Sequence, residues 1–166
     1  GKTHLAAAIA NLAVDHGIKT LFITVPDLLD SLRFAYNRYS ETSFEERFEE
    51  IRTCPLLILD DFGTQNATAW AQEKLFQIIN YRYINRLPMV VTTNLNLDDI
   101  EWRIRSRLED PEMVTRVNIN APDYRRRGIG IAATTDHTHD GAANIVLIPQ
   151  PGVQSHRYRV VDITSD

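Results

Sequence analysis

The sequence predicts an α/β fold in which a parallel β-sheet is covered by helices on both faces. Three short apolar runs, at residues 19–25, 55–59 and 87–94, have the length and β-branched composition of buried strands. Helical stretches separate these runs, and this alternation requires crossover connections between parallel strands. A chain of 166 residues is long enough to bury its own core, so we expect the elements to form one α/β domain.

The first half of the chain predicts a helix, a strand and two further helices. Residues 3–16 are rich in Ala and Leu, and Gly17 follows them as it often follows a helix C-terminus. After the strand at residues 19–25, apolar residues recur at helical spacing over residues 27–39. The same spacing returns over residues 44–51, which predicts a second helix before the next strand.

The second half continues the alternation. A long amphipathic helix is predicted over residues 69–86, after the strand at residues 55–59. The strand at residues 87–94 precedes an Arg-rich helix over residues 98–109, and residues 114–119 predict a fourth strand.

The composition changes after Arg127. Residues 128–166 are rich in Gly, Thr, His, Asp and Asn, with β-like pieces at residues 145–148 and 158–163. We expect a core formed by residues 1–127 and a loosely attached, β-rich C-terminal extension.

Composition excludes several classes of protein. No apolar run approaches the ~20 residues of a membrane-spanning helix, and no signal peptide opens the sequence. The single cysteine, Cys54, excludes an intramolecular disulfide, so we expect a cytoplasmic protein with no membrane segment. The net charge of −4 argues against attraction of nucleic acid over the whole surface. Seven arginines between Arg103 and Arg127 nevertheless leave room for a local basic patch.

Gly1, Lys2 and Thr3 open the first predicted helix. In a phosphate-binding loop, backbone N–H groups at a helix N-terminus face the anion, the Lys reaches the phosphates and the Thr hydroxyl joins the Mg²⁺ shell. Three residues alone are a weak signal, and the start of an ordinary helix is the better explanation unless other motifs match.

Polar side chains also end two of the buried strands. Asp60 and Asp61 follow the second strand, where one carboxylate could bind Mg²⁺ and the other could orient a water molecule. Asn94 ends the third strand, where its amide could hold that water or a phosphate oxygen. Solvated strand ends and a helix cap are the alternatives, but three such signals in an α/β chain favour nucleotide chemistry.

Five segments of the chain form a recognisable set: GKTHLAAAIA at residues 1–10, LLILDDFG at 56–63, WAQEKLF at 70–76, TTN at 92–94 and RSRL at 105–108. Together they resemble the AAA+ ATPase domain of the DnaC-type helicase loaders and of the related IstB transposition helper ATPases. The resemblance covers residues 1–127 and implies a P-loop NTPase fold.

The resemblance implies ATP and Mg²⁺ as cofactors and a role for each motif residue. Gly1 and Lys2 would contact the phosphates, and Thr3 would ligate Mg²⁺ together with Asp60. Asp61 stands where most AAA+ proteins have a catalytic Glu. Because its side chain is shorter, a nucleotide-binding switch with little hydrolysis remains an alternative to an ATPase.

The resemblance also implies roles for residues nearer the C-terminus. Asn94 resembles the sensor residue of these ATPases. Arg107 resembles the arginine finger, which reaches the nucleotide of a neighbouring subunit and so implies a homo-oligomer joined through its nucleotide sites. Arg103 and Arg105 are further candidates for this role, although all three would otherwise form the solvated face of a charged helix. Arg125 is a candidate contact to nucleotide in its own subunit.

The family implies a replicative DNA helicase, or a transposase, as protein partner, and contact with single-stranded DNA. Support from the residues comes from one predicted helix that combines cations with aromatic rings, at Arg33, Tyr36, Arg38 and Tyr39. An ordinary surface helix explains this combination as well.

Two further expectations concern what the chain lacks. In an AAA+ sheet, the strand that precedes the phosphate-binding loop lies between the fourth and fifth strands. That strand does not appear in the sequence, so we expect a gap in the sheet and weak ATP binding. His137, His139 and Asp140 lie in a polar segment with no further ligand nearby, and we expect no metal site there.

Overall fold

The computed structural model describes residues 1–36, 43–63, 68–119 and the strand at residues 143–148. The described part contains five helices, one 3₁₀ turn and five strands. In chain order they are α1 (Lys2–Asp15), β1 (Thr20–Thr24), α2 (Val25–Ala35), α3 (Phe44–Thr53), β2 (Leu56–Phe62), α4 (Ala69–Ile84), β3 (Met89–Thr93), the 3₁₀ turn (Leu97–Asp99), α5 (Trp102–Leu108), β4 (Thr115–Ile119) and β5 (Ala143–Ile148).

The five strands form one sheet in the order β1-β2-β3-β5-β4. β1, β2 and β3 are parallel neighbours, which confirms the predicted parallel sheet. β5 is antiparallel to both β3 and β4. β4 therefore runs in the same direction as the first three strands.

The gap that we expected in the sheet is not present in the described part of the chain. The family resemblance implies that β3 and β4 are the fourth and fifth strands of an AAA+ sheet, and β5 lies between them. The strand expected at residues 145–148 does form, but it pairs with the core strands instead of forming a detached hairpin. The β-like piece at residues 158–163 and the boundary at residues 127 and 128 lie outside the described residues.

Helix α1 covers one face of the sheet. Its buried residues are three alanines, Ala6, Ala10 and Ala13, which recur at helical spacing. Their small side chains allow the helix to lie close to the strands. The buried sheet residues that form a cluster with them are Leu56, Ile58 and Val90.

The larger hydrophobic core lies on the opposite face, under α2, α3, α4 and α5. Successive side chains of a strand point to opposite faces, and β2 follows this rule: Leu57 and Leu59 belong to the larger core, whereas Leu56 and Ile58 face α1. The predicted cover of helices on both faces is therefore confirmed. No helix in the described residues has the length and apolar character needed to cross a membrane.

Helix α2 begins earlier than the sequence pattern predicts. The side chain of Thr24 accepts a hydrogen bond from the backbone N–H of Asp27 at 3.2 Å, so Thr24 is the N-cap. Pro26 is tolerated because the first turn of a helix needs no N–H donor there. This cap starts the helix directly at the end of β1, at the edge of the sheet where the candidate site lies.

Candidate functional site

The predicted site residues meet at one edge of the sheet. Asp60 lies near the carboxyl end of β2, Asn94 follows the last residue of β3, and Lys2 and Thr3 form the first turn of α1. The carboxyl ends of parallel strands are where open α/β sheets bind their ligands.

Lys2 and Asn94 are in direct contact, although 92 residues separate them in sequence. The Lys2 ammonium donates a hydrogen bond from Nζ to Oδ1 of Asn94 at 2.5 Å. Lys2 is half-buried and Asn94 is exposed, so a ligand at the surface can reach both groups. The contact brings together the residue expected to bind phosphate and the residue expected to act as a sensor.

Thr3 and Asp60 form the second part of the site. Asp60 is only 5% exposed, and the Thr3 hydroxyl lies 3.0 Å from its Oδ2 and 3.3 Å from its Oδ1. A hydroxyl and a carboxylate are the hard oxygen ligands that Mg²⁺ prefers. Within the described ranges, no group of three or more His, Cys, Asp or Glu side chains could hold a metal ion. The Thr3 hydroxyl and the Asp60 carboxylate are nevertheless of the chemical type that fits an Mg²⁺ ion.

Asp61 occupies an irregular position in β2. Its φ is 59°, in the left-handed region, and the pairing of β2 with β3 shifts register between Leu59 and Phe62. Asp adopts this conformation more readily than most residues other than Gly. Its backbone N–H donates to Oγ1 of Thr92 at 3.0 Å. The irregularity therefore falls on the residue that the family resemblance assigns to water activation.

Thr92 is the site residue that sequence reasoning missed. It is 1% exposed, and its hydroxyl donates to Oδ1 of Asp60 at 2.5 Å while accepting from the N–H of Asp61. The available signal was a hydroxyl in an otherwise buried apolar strand, because such a group needs a hydrogen-bond partner. One side chain on β3 thus positions both acidic residues of β2.

Replacing Thr92 tests this positioning role. Thr92→Val keeps the shape of the side chain but leaves the Asp61 N–H and the buried Asp60 carboxylate without this partner. We expect the free energy of unfolding to fall by about 1–3 kcal/mol in urea denaturation. Thr92→Ser keeps the hydroxyl and should retain most of the stability. Equal stability of the Val and Ser variants would contradict the role.

The Arg107 guanidinium makes hydrogen bonds within its own chain. Its Nε donates to Oδ1 of Asn80 at 2.7 Å, and its Nη1 donates to the backbone carbonyl of Arg103 at 2.6 Å. The guanidinium also lies 4.9 Å from the centre of the Phe76 ring. These contacts fix Arg107 against α4, and its role at a neighbouring subunit's nucleotide stays a prediction.

The other two arginines of α5 form ion pairs. Arg103 pairs with Glu101 at 2.7 Å and with Glu73 at 3.2 Å. Arg105 pairs with Asp98 at 2.7 Å and, in the predicted i,i+4 manner, with Glu109 at 3.0 Å. Arg105 therefore behaves as expected for a residue on the solvent-exposed face of a charged helix.

Part of the predicted DNA-binding combination is described. Arg33 pairs with Asp30 at 3.1 Å, and its guanidinium lies 5.4 Å from the centre of the Trp70 ring. Tyr36 is 77% exposed and contacts the ring of Phe44 edge-on. The remaining predicted residues lie outside the described part: Arg38, Tyr39, Arg125, His137, His139 and Asp140.

Two helicase loaders are similar to this chain in sequence. The replicative helicase loader DnaC of Escherichia coli (strain K12) is 30% identical over 133 residues, which cover 78% of this chain and 54% of the loader. The replicative helicase loader DnaI of Bacillus subtilis (strain 168) is 28% identical over 102 residues, which cover 61% of this chain and 32% of that protein. The chain thus spans about half the length of the DnaC relative.

Two solved structures share the fold. One is the replication initiator DnaA bound to AMPPCP and single-stranded DNA, with a TM-score of 0.58 at 22% identity, covering 64% of this chain and 34% of that one. The other is AMPPCP-bound DnaA from Aquifex aeolicus, with a TM-score of 0.56 at 23% identity and the same coverage. At these identities the likeness establishes the AAA+ P-loop fold alone.

The family is established by a sequence model. The model described as "IstB-like ATP binding protein" matches residues 1–120, which is 120 of the 166 residues. The match includes Lys2, Thr3, Asp60 and Asn94, the four residues that the fold brings together. The chain therefore belongs to the IstB-like, DnaC-type family of AAA+ ATP-binding proteins.

Proposed function

We propose that this chain is the ATPase core of a helicase-loader-like protein, which binds ATP with Mg²⁺ and hydrolyses it between copies of the chain. Its targets are a replicative DNA helicase and single-stranded DNA. The observation that supports this most directly is the contact of Lys2 with Asn94 beside that of Thr3 with Asp60, across 92 and 57 residues. A cation, an amide and hard oxygen ligands at one place are the groups that bind a nucleoside triphosphate.

Each residue has a distinct part in the proposed reaction. The Lys2 ammonium leaves Asn94 and pairs with phosphate oxygens, which frees the Asn94 amide to hold the attacking water or a γ-phosphate oxygen. Thr3 and Asp60 would hold Mg²⁺, which neutralises charge on the phosphates when it is bound. Asp61 orients the water, and the N-terminus of α1 faces the anion.

The Asp61→Asn variant tests whether the chain is an ATPase or a nucleotide-binding switch with little hydrolysis. Asn tolerates the left-handed backbone of this position, so the variant should fold and bind ATP within about threefold of the unchanged chain. Loss of the carboxylate that orients the water should lower steady-state turnover by about 10²-fold or more. The measurement is phosphate release with and without single-stranded DNA.

The outcomes of that assay distinguish the two functions. Equal turnover by the two chains would show that Asp61 does not act on the water. ATP binding without turnover by the unchanged chain, with DNA present, would favour the switch.

A transposition helper ATPase is a second candidate, because the matching family model carries the IstB description. The identity of 30% to the E. coli loader supports the helicase-loading function. A pull-down with purified replicative helicase and with a transposase, each in the presence of Mg·ATP, separates them. We expect retention of the helicase, whereas retention of the transposase alone would reverse the assignment.

A further inference from the structure

The Thr93 hydroxyl joins the end of β2 to the backbone that follows β3. Thr93 is 0% exposed, and its Oγ1 donates to the backbone carbonyl of Phe62 at 2.7 Å. The same oxygen accepts a hydrogen bond from the backbone N–H of Leu95 at 3.0 Å. One buried hydroxyl is thus bonded to a backbone group of β2 and to a backbone group beyond β3.

Asn94 lies between the two residues that this hydroxyl connects. Thr93 precedes it and Leu95 follows it, and Asn94 itself is exposed. Its side-chain oxygen is the atom that accepts the hydrogen bond from Lys2. Because each residue has only two soft backbone dihedral angles, fixing the backbone on both sides of Asn94 restricts the directions in which its amide can point.

Gly63 is a second point of close approach between β2 and the segment after β3. Its φ is 92°, in the region that favours glycine. A Cβ atom at this position would lie 2.3 Å from Cδ1 and 2.8 Å from Cγ of Leu95. The Leu95 side chain can therefore lie against the backbone here only because residue 63 has no side chain.

Both contacts fall next to the two acidic residues of β2. Phe62, whose carbonyl binds Thr93, directly follows Asp60 and Asp61 in sequence. Phe62 and Thr93 are also register partners, beyond the point at which the pairing of the two strands shifts. The backbone that carries the carboxylates and the backbone that carries the amide are therefore held together at Phe62 and Gly63.

We propose that Thr93 and Gly63 are positioning residues, which set the place of the Asn94 amide relative to the carboxylates of β2. Thr93 acts through its two hydrogen bonds, and Gly63 acts through the space that it leaves for Leu95. The inference rests on the proposed function, in which the Asn94 amide holds the attacking water or a γ-phosphate oxygen. Misplacing that amide should slow hydrolysis and leave the binding of ADP, which has no γ-phosphate, nearly unchanged.

Thr93→Val in the full chain tests the hydrogen-bonding part, because valine keeps the shape of the side chain without the hydroxyl. We expect ATP turnover, measured as phosphate release, to fall by about tenfold, while the calorimetric affinity for Mg·ADP stays within about threefold. Thr93→Ser keeps the hydroxyl and should retain most of the turnover. Turnover by Thr93→Val equal to that of the unchanged chain would overturn the inference.

Thr20→Val is the matched control for the loss of a strand hydroxyl. Thr20 begins β1, so it lies at the edge of the sheet opposite the candidate site. Its hydroxyl donates to the backbone carbonyl of Ile18 at 3.0 Å. We expect this variant to match the unchanged chain in turnover, and a tenfold loss here as well would overturn the assignment of the effect to Thr93.

The Asn94→Ala background distinguishes positioning from a purely structural role. If Thr93 acts through Asn94, Thr93→Val should lower turnover by less than about twofold in this background. Single-turnover assays with the chain in excess over ATP make these low rates measurable. The same tenfold loss in both backgrounds would show that Thr93 acts independently of Asn94 and would overturn the inference.

Two further measurements cover the case in which Thr93→Val does not fold. Gly63→Ala should displace Leu95 and lower turnover by about tenfold, again with the Mg·ADP affinity within about threefold, and unaltered turnover would overturn the role of Gly63. In the unchanged chain without nucleotide, the Leu95 amide should exchange its hydrogen slowly, because it is bonded to a buried hydroxyl. Exchange as fast as in an unstructured peptide would overturn the inference, whatever the chain binds.

Failure of the proposed function gives a different result. Absence of ATP turnover by the unchanged chain would overturn that function itself, and phosphate release shows this before any variant is made.

Discussion

Asp60→Asn is expected to lower the rate of ATP hydrolysis by about a hundredfold or more, because it removes the carboxylate proposed to hold Mg²⁺. The fold should survive the change. Asp60 is buried and contacts two hydroxyls, those of Thr3 and Thr92, and an amide of the same shape can bond to both. Because the substitution removes a buried charge, we expect a free energy of unfolding within about 1 kcal/mol of that of the unchanged chain, or higher.

The two effects need to be measured on the same preparation. Phosphate release gives the rate, and urea denaturation gives the stability. Lower activity with unchanged stability is the signature of a residue that serves the reaction and not the fold. Equal turnover by Asp60→Asn and the unchanged chain, over a range of Mg²⁺ concentrations, would contradict the assignment.

Arg82→Met is expected to cause a large loss of stability. Arg82 is 0% exposed, and its Nη1 donates to the backbone carbonyls of Cys54 at 2.8 Å and Arg52 at 3.1 Å. Its Nη2 donates to the carbonyl of Pro88, at the entrance to β3. One guanidinium on α4 therefore ties the end of α3 to the start of a central strand. Removing its donors should cost about 3 kcal/mol or more.

Two effects oppose each other in Arg82→Met: the variant loses the hydrogen bonds to the carbonyls, but it also removes the cost of burying a charged group. Burial lowers the pKa of Arg82 and raises the pKa of the neighbouring Cys54 thiol, so the buried environment disfavours charge on either group. The Nε of Arg82 also has no hydrogen-bond partner among the residues that the structure describes. If this desolvation outweighs the bonds to carbonyls, Met should be neutral or stabilising, as replacing a buried charge by an apolar residue can be.

We expect the carbonyl bonds to dominate, because three backbone carbonyls, at the end of α3 and just before β3, accept hydrogen bonds from this side chain. Urea denaturation of Arg82→Met is the measurement. Arg47→Met is the matched control, since Arg47 lies on the surface of α3 in an i,i+3 pair with Glu50 and should contribute less than about 0.5 kcal/mol. An Arg82→Met variant as stable as the control would contradict the account.

Much of the site could be predicted from the sequence. Because the carboxyl ends of parallel strands share one edge, recognising the strands before Asp60 and Asn94 was enough to place these residues together. The first helix then brings Lys2 and Thr3 to the same edge. Here residue type and strand order were sufficient, since the parallel sheet determines which ends meet.

The rest depends on tertiary contacts that periodicity does not encode. A β-like run at residues 145–148 predicts a strand, but not which strands it joins or in which direction. Arg82 belongs to an amphipathic helix, where arginine is expected on the solvated face, and only its carbonyl partners explain its burial. The left-handed backbone of Asp61 and the hydroxyl bridge of Thr92 likewise follow from the register shift between β2 and β3.

The central claim is that the edge formed by Lys2, Thr3, Asp60 and Asn94 binds Mg·ATP. Calorimetric titration of the full chain tests it most directly, with Lys2→Ala as the site variant and Lys19→Ala as a control for loss of one positive charge. The account predicts one ATP bound per chain, an affinity that falls by about tenfold to a hundredfold in Lys2→Ala, and no change in Lys19→Ala. Absence of binding, or equal affinity of Lys2→Ala and the unchanged chain, would contradict it.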